Sequence, residues 1–196
     1  MPDRAKQERP EPGIVTVGHS NDDFDDFARL LLGARVTEVA DVRRLPGSSR
    51  YPQFDEDALA ASLPARGIGY RRIAQLGGRR GRQHEIEPRL NAMWRNRSFH
   101  NYADYAMTEP FAQGLDELIA LAEAAAGAPE PGRVAVMCAE AVWWRCHRRI
   151  IADHLLARGV PVGHLMPGGR LVETTLTPGA IVCDRADGEV AYPAAA

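Results

Sequence analysis

The residues most able to do chemistry lie close together late in the chain, in the run Met137-Cys138-Ala139-Glu140-Ala141-Val142-Trp143-Trp144-Arg145-Cys146-His147-Arg148. Met137 closes a short apolar stretch that reads as a strand. Cys138 then stands at a strand end, ahead of a loop and a helix start. Backbone N–H groups and the helix dipole favour an anion at such a place, and they favour the thiolate form of a cysteine. Sulfur-transfer and phosphatase enzymes use this architecture with an arginine closing the anion cradle, a role open here to Arg145 or Arg148. The spacing is not that of the tight Cys-x5-Arg phosphatase loop, since Cys138 is seven residues from Arg145. Glu140 and His147 form a candidate acid–base pair. Cys138, Cys146 and His147 are also soft donors, yet Cys-x7-Cys-His lacks the paired short spacings of a zinc site, and no metal ligand set is assigned. Each residue has a plainer reading as well: Cys138 as a small buried hydrophobe, Glu140 as a helix cap.

Two further polar groups follow apolar runs. His19 and Ser20 come directly after Ile14 to Gly18, where His19 could serve as acid, base or phosphate donor and Ser20 as a ligand or cap. Asp41 ends the run from Val36, with Arg43 and Arg44 behind it; it is either a catalytic carboxylate or half of a buried Asp–Arg pair. Arg44, Arg50, Arg79, Arg80, Arg95 and Arg97 alternate with Tyr51, Phe54, Trp94, Phe99, Tyr102 and Tyr105. Guanidinium forks bind phosphate and aromatic faces stack on bases, so these residues read as a phosphate-and-stacking surface. A solvated charged face is the alternative. Trp143 and Trp144 are adjacent and cannot both face the core, so one of them, with Trp144 the candidate, lines or covers the cleft. Gly77-Gly78 is no nucleotide fingerprint, because no strand–Gly-x-Gly-x-x-Gly–helix context surrounds it.

The elements that must position these groups alternate. Strands are expected at 13–18, 36–42, 68–73, 133–137 and 160–165, from short β-branched or apolar runs. Helices are expected after an Asn21 or Asp22 cap up to Gly33, at 55–66 with Gly67 as its stop, within 101–127, and at 145–158. Between them, 74–100 loses regularity in a long Arg-rich loop. This order implies a single three-layer α/β domain over residues 13–166, a mostly parallel sheet flanked by helices. Residues 1–12 read as a flexible leader, and 167–196 as an extension with a small hairpin or an edge strand. In such sheets ligands bind beyond the carboxyl ends of the strands, where all three polar clusters fall.

Composition narrows the class. The chain has 196 residues, 45% hydrophobic and 26% charged, ordinary for a globular domain. No apolar run approaches the roughly 20 residues of a membrane span, and the polar start has no signal-peptide core. Three cysteines argue against a disulfide framework and for a reducing, cytoplasmic setting. The net charge of −2 conceals an asymmetry. Residues 43–97 hold 12 of the 24 basic groups against five acids, so this stretch carries +7 and the remainder −9.

Several motifs then match one pattern together: Val17-Gly18-His19-Ser20, Asp41-Val42-Arg43 with Pro52-Gln53-Phe54, Leu76-Gly77-Gly78-Arg79, Trp94-Arg95-Asn96, Tyr102-Ala103-Asp104-Tyr105, and the Cys138 to Arg148 run. Over Ile14 to Leu165 the chain resembles the bacterial domain of unknown function 488 family. The resemblance implies an α/β fold and a map of the site, and it carries no activity.

The expected function is an enzyme acting on a phosphate-bearing substrate, a nucleotide or nucleic acid, with Cys138 or Glu140 at the chemical centre. His147, His19 and Asp41 are its further catalytic candidates. Ser20, Arg43, Arg44, Arg79, Arg80, Trp94, Arg95, Tyr102, Tyr105, Trp144, Arg145 and Arg148 are its binding candidates. A non-catalytic nucleic-acid-binding module built on residues 43–105 is the first alternative, and a metal- or haem-binding protein the second. No cofactor is strongly indicated and no membrane partner is expected.

Overall fold

The computed structural model describes residues 11–47, 50–183 and 188–194. β1 (Ile14–Gly18), β2 (Val36–Asp41), β3 (Gly69–Arg72), β4 (Arg133–Cys138), β5 (Val162–Leu165) and β6 (Leu171–Glu173) form one sheet in the order β3-β2-β4-β1-β5-β6. The first five are parallel to their neighbours and β6 runs antiparallel on the edge. The protein is therefore an α/β domain with a mostly parallel sheet. None of its described helices is long and apolar enough to cross a membrane.

Two layers of helices bury the sheet. α1 (Phe24–Gly33) and α2 (Glu56–Ser62) cover one face, with Phe27, Leu31 and Leu59 against Val15, Val17, Ala135 and Met137. α3 (Arg97–Tyr105), α4 (Glu109–Ala126) and α5 (Arg148–Ala157) cover the other, with Leu115, Leu118, Ile150 and Ile151 against Val134, Val136 and Ala40. The period-2 alternation of β4 decides where its last residue points. Cys138 follows Val134 and Val136 onto the α5 side.

The helix boundaries differ from the sequence expectation for local reasons. α1 is capped by Asp23, whose side chain accepts the Asp25 N–H, rather than by Asn21 or Asp22. Those two residues are taken up in a turn closed by Asp22 N–H to the His19 carbonyl, with Ser20 at φ 52°. Gly67 does stop the α2 region, in the left-handed conformation at φ 74°. α3 begins at Arg97, inside the expected loop, because the Asn96 side chain caps it through Ser98 and Phe99 N–H. The irregular stretch before it carries two 3-10 turns, Ala74–Leu76 and Pro88–Asn91. α5 starts at Arg148, not at 145, since Cys146 is extended (φ −128°, ψ 150°) and breaks the helical run.

The segment after β5, read from sequence as a small hairpin or an edge strand, holds three short strands among its described residues. β6 is the edge strand, and β7 (Ile181–Val182) pairs with β8 (Val190–Ala191) as a small antiparallel hairpin. This segment is joined to the core through Tyr192, which is fully buried and donates to Asp153 at 2.8 Å. The expected leader lies outside the described residues except for Glu11 and Pro12. Glu11 ion-pairs with Arg35 and Arg133, and the Pro12 carbonyl accepts from Arg133.

Candidate functional site

β4 lies between β1 and β2, and α1 and α5 leave their strands toward opposite faces. The strand ends beside this division form the crevice where ligands bind in doubly wound sheets. His19 N–H and Ser20 N–H donate to the carbonyls of Cys138 and Ala139, both at 3.1 Å, so the loops after β1 and β4 are laced together. Gly18 is required there: a Cβ on it would lie 1.8 Å from the Glu140 carbonyl oxygen.

The extended backbone at Cys146 turns its side chain back to the end of β4. Cys138 Sγ and Cys146 Sγ are 2.6 Å apart, and each residue is only 3% exposed. Glu140 N–H donates to Cys138 Sγ at 3.3 Å, and Arg148 Nε–H to Cys146 Sγ at 3.4 Å. The Arg148 side chain is 1% exposed, and its Nη2 donates to the Glu140 carbonyl at 2.5 Å. His147 donates from Nε2 to the Val42 carbonyl at 3.1 Å, which turns Nδ1 toward Cys146 Sγ at 3.5 Å. Gly78 leaves room for that ring, since a Cβ there would meet Nδ1 at 2.9 Å.

Burial works against ionising Cys146, but the hydrogen bond from Cys138, His147 and the Arg148 guanidinium together hold its thiol well below the ordinary range. The hydrogen bond to Cys146 and burial push Cys138 well above it. The sequence puts the reactive thiolate at Cys138; in the structure Arg148 Nε–H and His147 Nδ1 stand closest to Cys146 Sγ.

A hollow of about 440 Å³ opens over the sulfurs, lined by Arg43, Arg44, Arg79, Arg145, Tyr102 and Glu140 together with Cys138, Cys146 and His147. Arg44, Arg79 and Arg145 are exposed on its walls, and no carboxylate among the described residues ion-pairs with them. A second, shallower hollow adjoins it, sharing Arg43, Arg79 and Glu140 and adding His19, Ser20 and Tyr51. Leu45, Gly47, Ser98 and Phe99 also line the deeper hollow. Sequence reasoning gave the first three no role there; the Asn96 cap that brings Ser98 and Phe99 to the wall was the readable signal.

Other candidates are committed elsewhere. Asp41 is fully buried and accepts from Arg43 Nε–H at 2.9 Å, from Arg43 N–H at 2.9 Å and from Tyr70 OH at 2.8 Å. Burial and Asp41 together push the Tyr70 phenol up, so it stays a donor. Asp41 is thus placed to fix Arg43 in the wall rather than to meet a substrate. Asp41→Asn is expected to lower stability by about 3 kcal/mol or more, because it leaves the Arg43 cation buried without its partner. Urea unfolding of the two proteins measures this, and a loss under 1 kcal/mol would remove the positioning role.

His19 stacks on Phe54 at 4.1 Å and donates from Nδ1 to the Ser20 carbonyl at 3.0 Å. Burial and Arg43 lower its pKa to about 4, so it meets the shallow hollow as a neutral ring. Arg80 spends its guanidinium on the carbonyls of Gly77, Ala74 and Gln75 and lies 3.8 Å from the Tyr105 ring centroid. Tyr102 and Tyr105 donate to Leu76 and Gln75 carbonyls. Trp94 stacks on Phe99 at 4.9 Å. Arg80, Trp94, Arg95, Tyr105 and Trp144 line neither hollow, and Arg148 lies beneath the deeper one. Trp144 is exposed, while Trp143 stacks on His164 at 4.2 Å. Among the described residues no hydrogen bond joins Glu140 to His147 as an acid–base pair; His147 is held by Val42 and Cys146.

Cys138, Cys146 and His147 offer three soft donor atoms within 4.8 Å of one another. Two thiolates on a tetrahedral zinc with Zn–S of about 2.3 Å stand roughly 3.8 Å apart. The sulfurs here are 2.6 Å apart, so a metal would have to part them.

The family model for the domain of unknown function DUF488 matches residues 23–155. The chain belongs to the DUF488 family. The match takes in Asp41, the arginine-rich segment and the whole run from Cys138 to Arg148, while β1 with His19 and Ser20 lies ahead of it. No curated protein and no solved structure matches.

Proposed function

We propose that this DUF488 protein is an enzyme acting on a phosphate-bearing substrate, a nucleotide or nucleic acid, with the Cys146 thiolate as its nucleophile. The observation that carries this reading is the Cys138–Cys146 pair on the floor of a hollow whose walls bear Arg43, Arg44, Arg79 and Arg145. Exposed guanidinium groups bind phosphate oxygens in pairs, and a thiolate held by a cation is an activated nucleophile. In the reaction Cys146 Sγ bonds to the electrophilic atom of the substrate. The leaving group departs with its electron pair, and Glu140, exposed on the same wall, gives it a proton. Water then releases the bound fragment and returns the thiolate. The adjoining hollow at His19 and Ser20 suits a substrate longer than one phosphate group.

The test is fluorescence anisotropy with labelled mononucleotides and with single- and double-stranded oligonucleotides at several salt concentrations. The expected result is binding that weakens with salt by roughly 0.7–0.9 log units per log unit for each phosphate contact. Arg44→Ala and Arg79→Ala should reduce both affinity and slope. Cys146→Ser should keep binding and abolish turnover. No binding to any probe at low salt would end the phosphate reading. Turnover unchanged in Cys146→Ser would remove Cys146 as the nucleophile, and binding with no turnover in the wild type would leave the nucleic-acid-binding alternative, in which the arginines act without the thiol.

A further inference from the structure

We propose that Cys138 and Cys146 are a modification site for hydroperoxides, closing reversibly to an intramolecular disulfide at the floor of the arginine-lined hollow. The inference shares the site of the proposed reaction but does not depend on its substrate.

The geometry supplies both halves of a two-step oxidation. Cys146 Sγ faces the hollow with Arg148 Nε–H at 3.4 Å and His147 Nδ1 at 3.5 Å, the setting of an ionised, nucleophilic sulfur. Its thiolate attacks one oxygen of the hydroperoxide, the O–O bond breaks, and an alkoxide or hydroxide leaves to take up a proton. Cys146 is then a sulfenic acid, oxidised by two electrons. A sulfenic acid condenses with a neighbouring thiol, and the Cys138 sulfur needs no conformational change to reach it, being 2.6 Å from Cys146 Sγ. The S–S bond forms, water leaves, and the Cys138 proton departs with it. A small peroxide fits the hollow of about 440 Å³, which both cysteines line.

The same contacts predict how the disulfide behaves. Oxidation removes the negative charge from Cys146 and leaves the buried Arg148 guanidinium with the Glu140 carbonyl as its remaining acceptor there. The dithiol form is favoured relative to the disulfide, as in oxidising thiol–disulfide proteins whose reduced form is stabilised. The bond should therefore reopen readily with a monothiol, unlike a structural disulfide. While closed, it withdraws the nucleophile of the proposed reaction.

The experiment treats reduced full-length protein with hydrogen peroxide at pH 6, blocks the remaining thiols with an alkylating reagent, and maps the products by peptide mass. Cys183, which lines neither hollow, is the internal comparison. The expected result is a Cys138–Cys146 link, a loss of two hydrogens, formed about tenfold or more faster than free cysteine is oxidised under the same conditions. A millimolar monothiol should reverse it. In Cys138→Ser the link cannot form, and a dimedone adduct should appear on Cys146 instead. Alkylation of both cysteines after peroxide treatment, or linkage of either to Cys183, would overturn the proposal. The wild-type mass map decides this even if the variant does not fold. Because no substrate is present, a negative result here leaves the phosphate reading standing, and loss of nucleotide binding leaves this one.

Discussion

Arg148→Met is expected to destabilise the protein by about 3 kcal/mol at pH 8 and to slow alkylation of Cys146 at pH 6–7 by roughly tenfold. Methionine matches the arginine stem in volume but carries neither charge nor donors. The Glu140 carbonyl loses its Nη2–H donor, and Cys146 Sγ loses its Nε–H donor inside the fold. Removing one partner of a buried charged contact costs far more than the contact is worth, because the other stays desolvated. Cys146 has one escape, which is to take up a proton. The penalty should therefore shrink as pH falls and the thiol becomes neutral. Arg148→Lys should restore charge but not the forked geometry, and so recover part of the loss. The double variant with Cys146→Ser should cost less than the sum of the singles, since both changes break the same contact. Urea unfolding and iodoacetamide kinetics measure these quantities. Additive losses, or a single loss below 1 kcal/mol, would show that Arg148 does not hold the thiolate.

The parts of this site legible in the sequence were those fixed by local pattern. The alternation Val134, Val136, Cys138 and the strand-end positions of His19 and Asp41 follow from period-2 burial, and these placed the crevice. What was not legible depended on the chain returning from a distance. The closeness of Cys146 to Cys138 needs an extended residue between a 3-10 turn and α5, and no propensity announces it. Cys138 reads as the anion in sequence because it occupies the strand end. Only the path of Arg148 beneath the loop shows which sulfur the cation faces. The arginine-and-aromatic segment misled in a similar way. Arg80 and Tyr105 look like binding groups in sequence, yet they satisfy backbone carbonyls of the 74–77 turn, as does Tyr102, which also lines the hollow. A loop without its own ladder must find such partners somewhere, and sequence does not show which side chains it will take. Arg44, Arg79 and Arg145 remained for the hollow because no carboxylate among the described residues pairs with them, although Arg44 also donates to the Arg79 carbonyl at 3.1 Å.

Acid should unfold this protein early, with the midpoint between about pH 4 and 5. Three buried histidines set that limit. Burial and Arg43 lower His19 to about 4, burial and Arg158 lower His154 to about 3, and burial and Arg148 lower His164 to about 4. His164 also stacks on Trp143 and shares a 2.7 Å hydrogen bond with Thr16 Oγ1, and His154 meets Phe111 edge-on at 4.9 Å. In the unfolded chain each ring protonates near 6.5. Between 6.5 and about 4 the unfolded state binds protons that the folded state refuses, so stability is complete above that window and is lost as pH falls through it. Each ring removes up to about 1.4 kcal/mol per pH unit, and three remove about 4, against a total of roughly 5–15 for a domain. The carboxyls of Asp22, Glu38 and Asp153, raised chiefly by burial, act in the opposite sense and offset part of the loss at the acid end. His154→Leu isolates the effect, as that ring lines neither hollow. It should leave the folded state intact at pH 7.5 and reduce the slope of stability against pH by about one proton below pH 6. Urea unfolding from pH 4.5 to 7.5 gives both slopes. A flat wild-type profile, or a variant slope equal to it, would mean these rings are not held neutral. The same neutrality bears on the site, because a protonated His19 would add a second cation beside Arg43 and the shallow hollow could not keep its present shape.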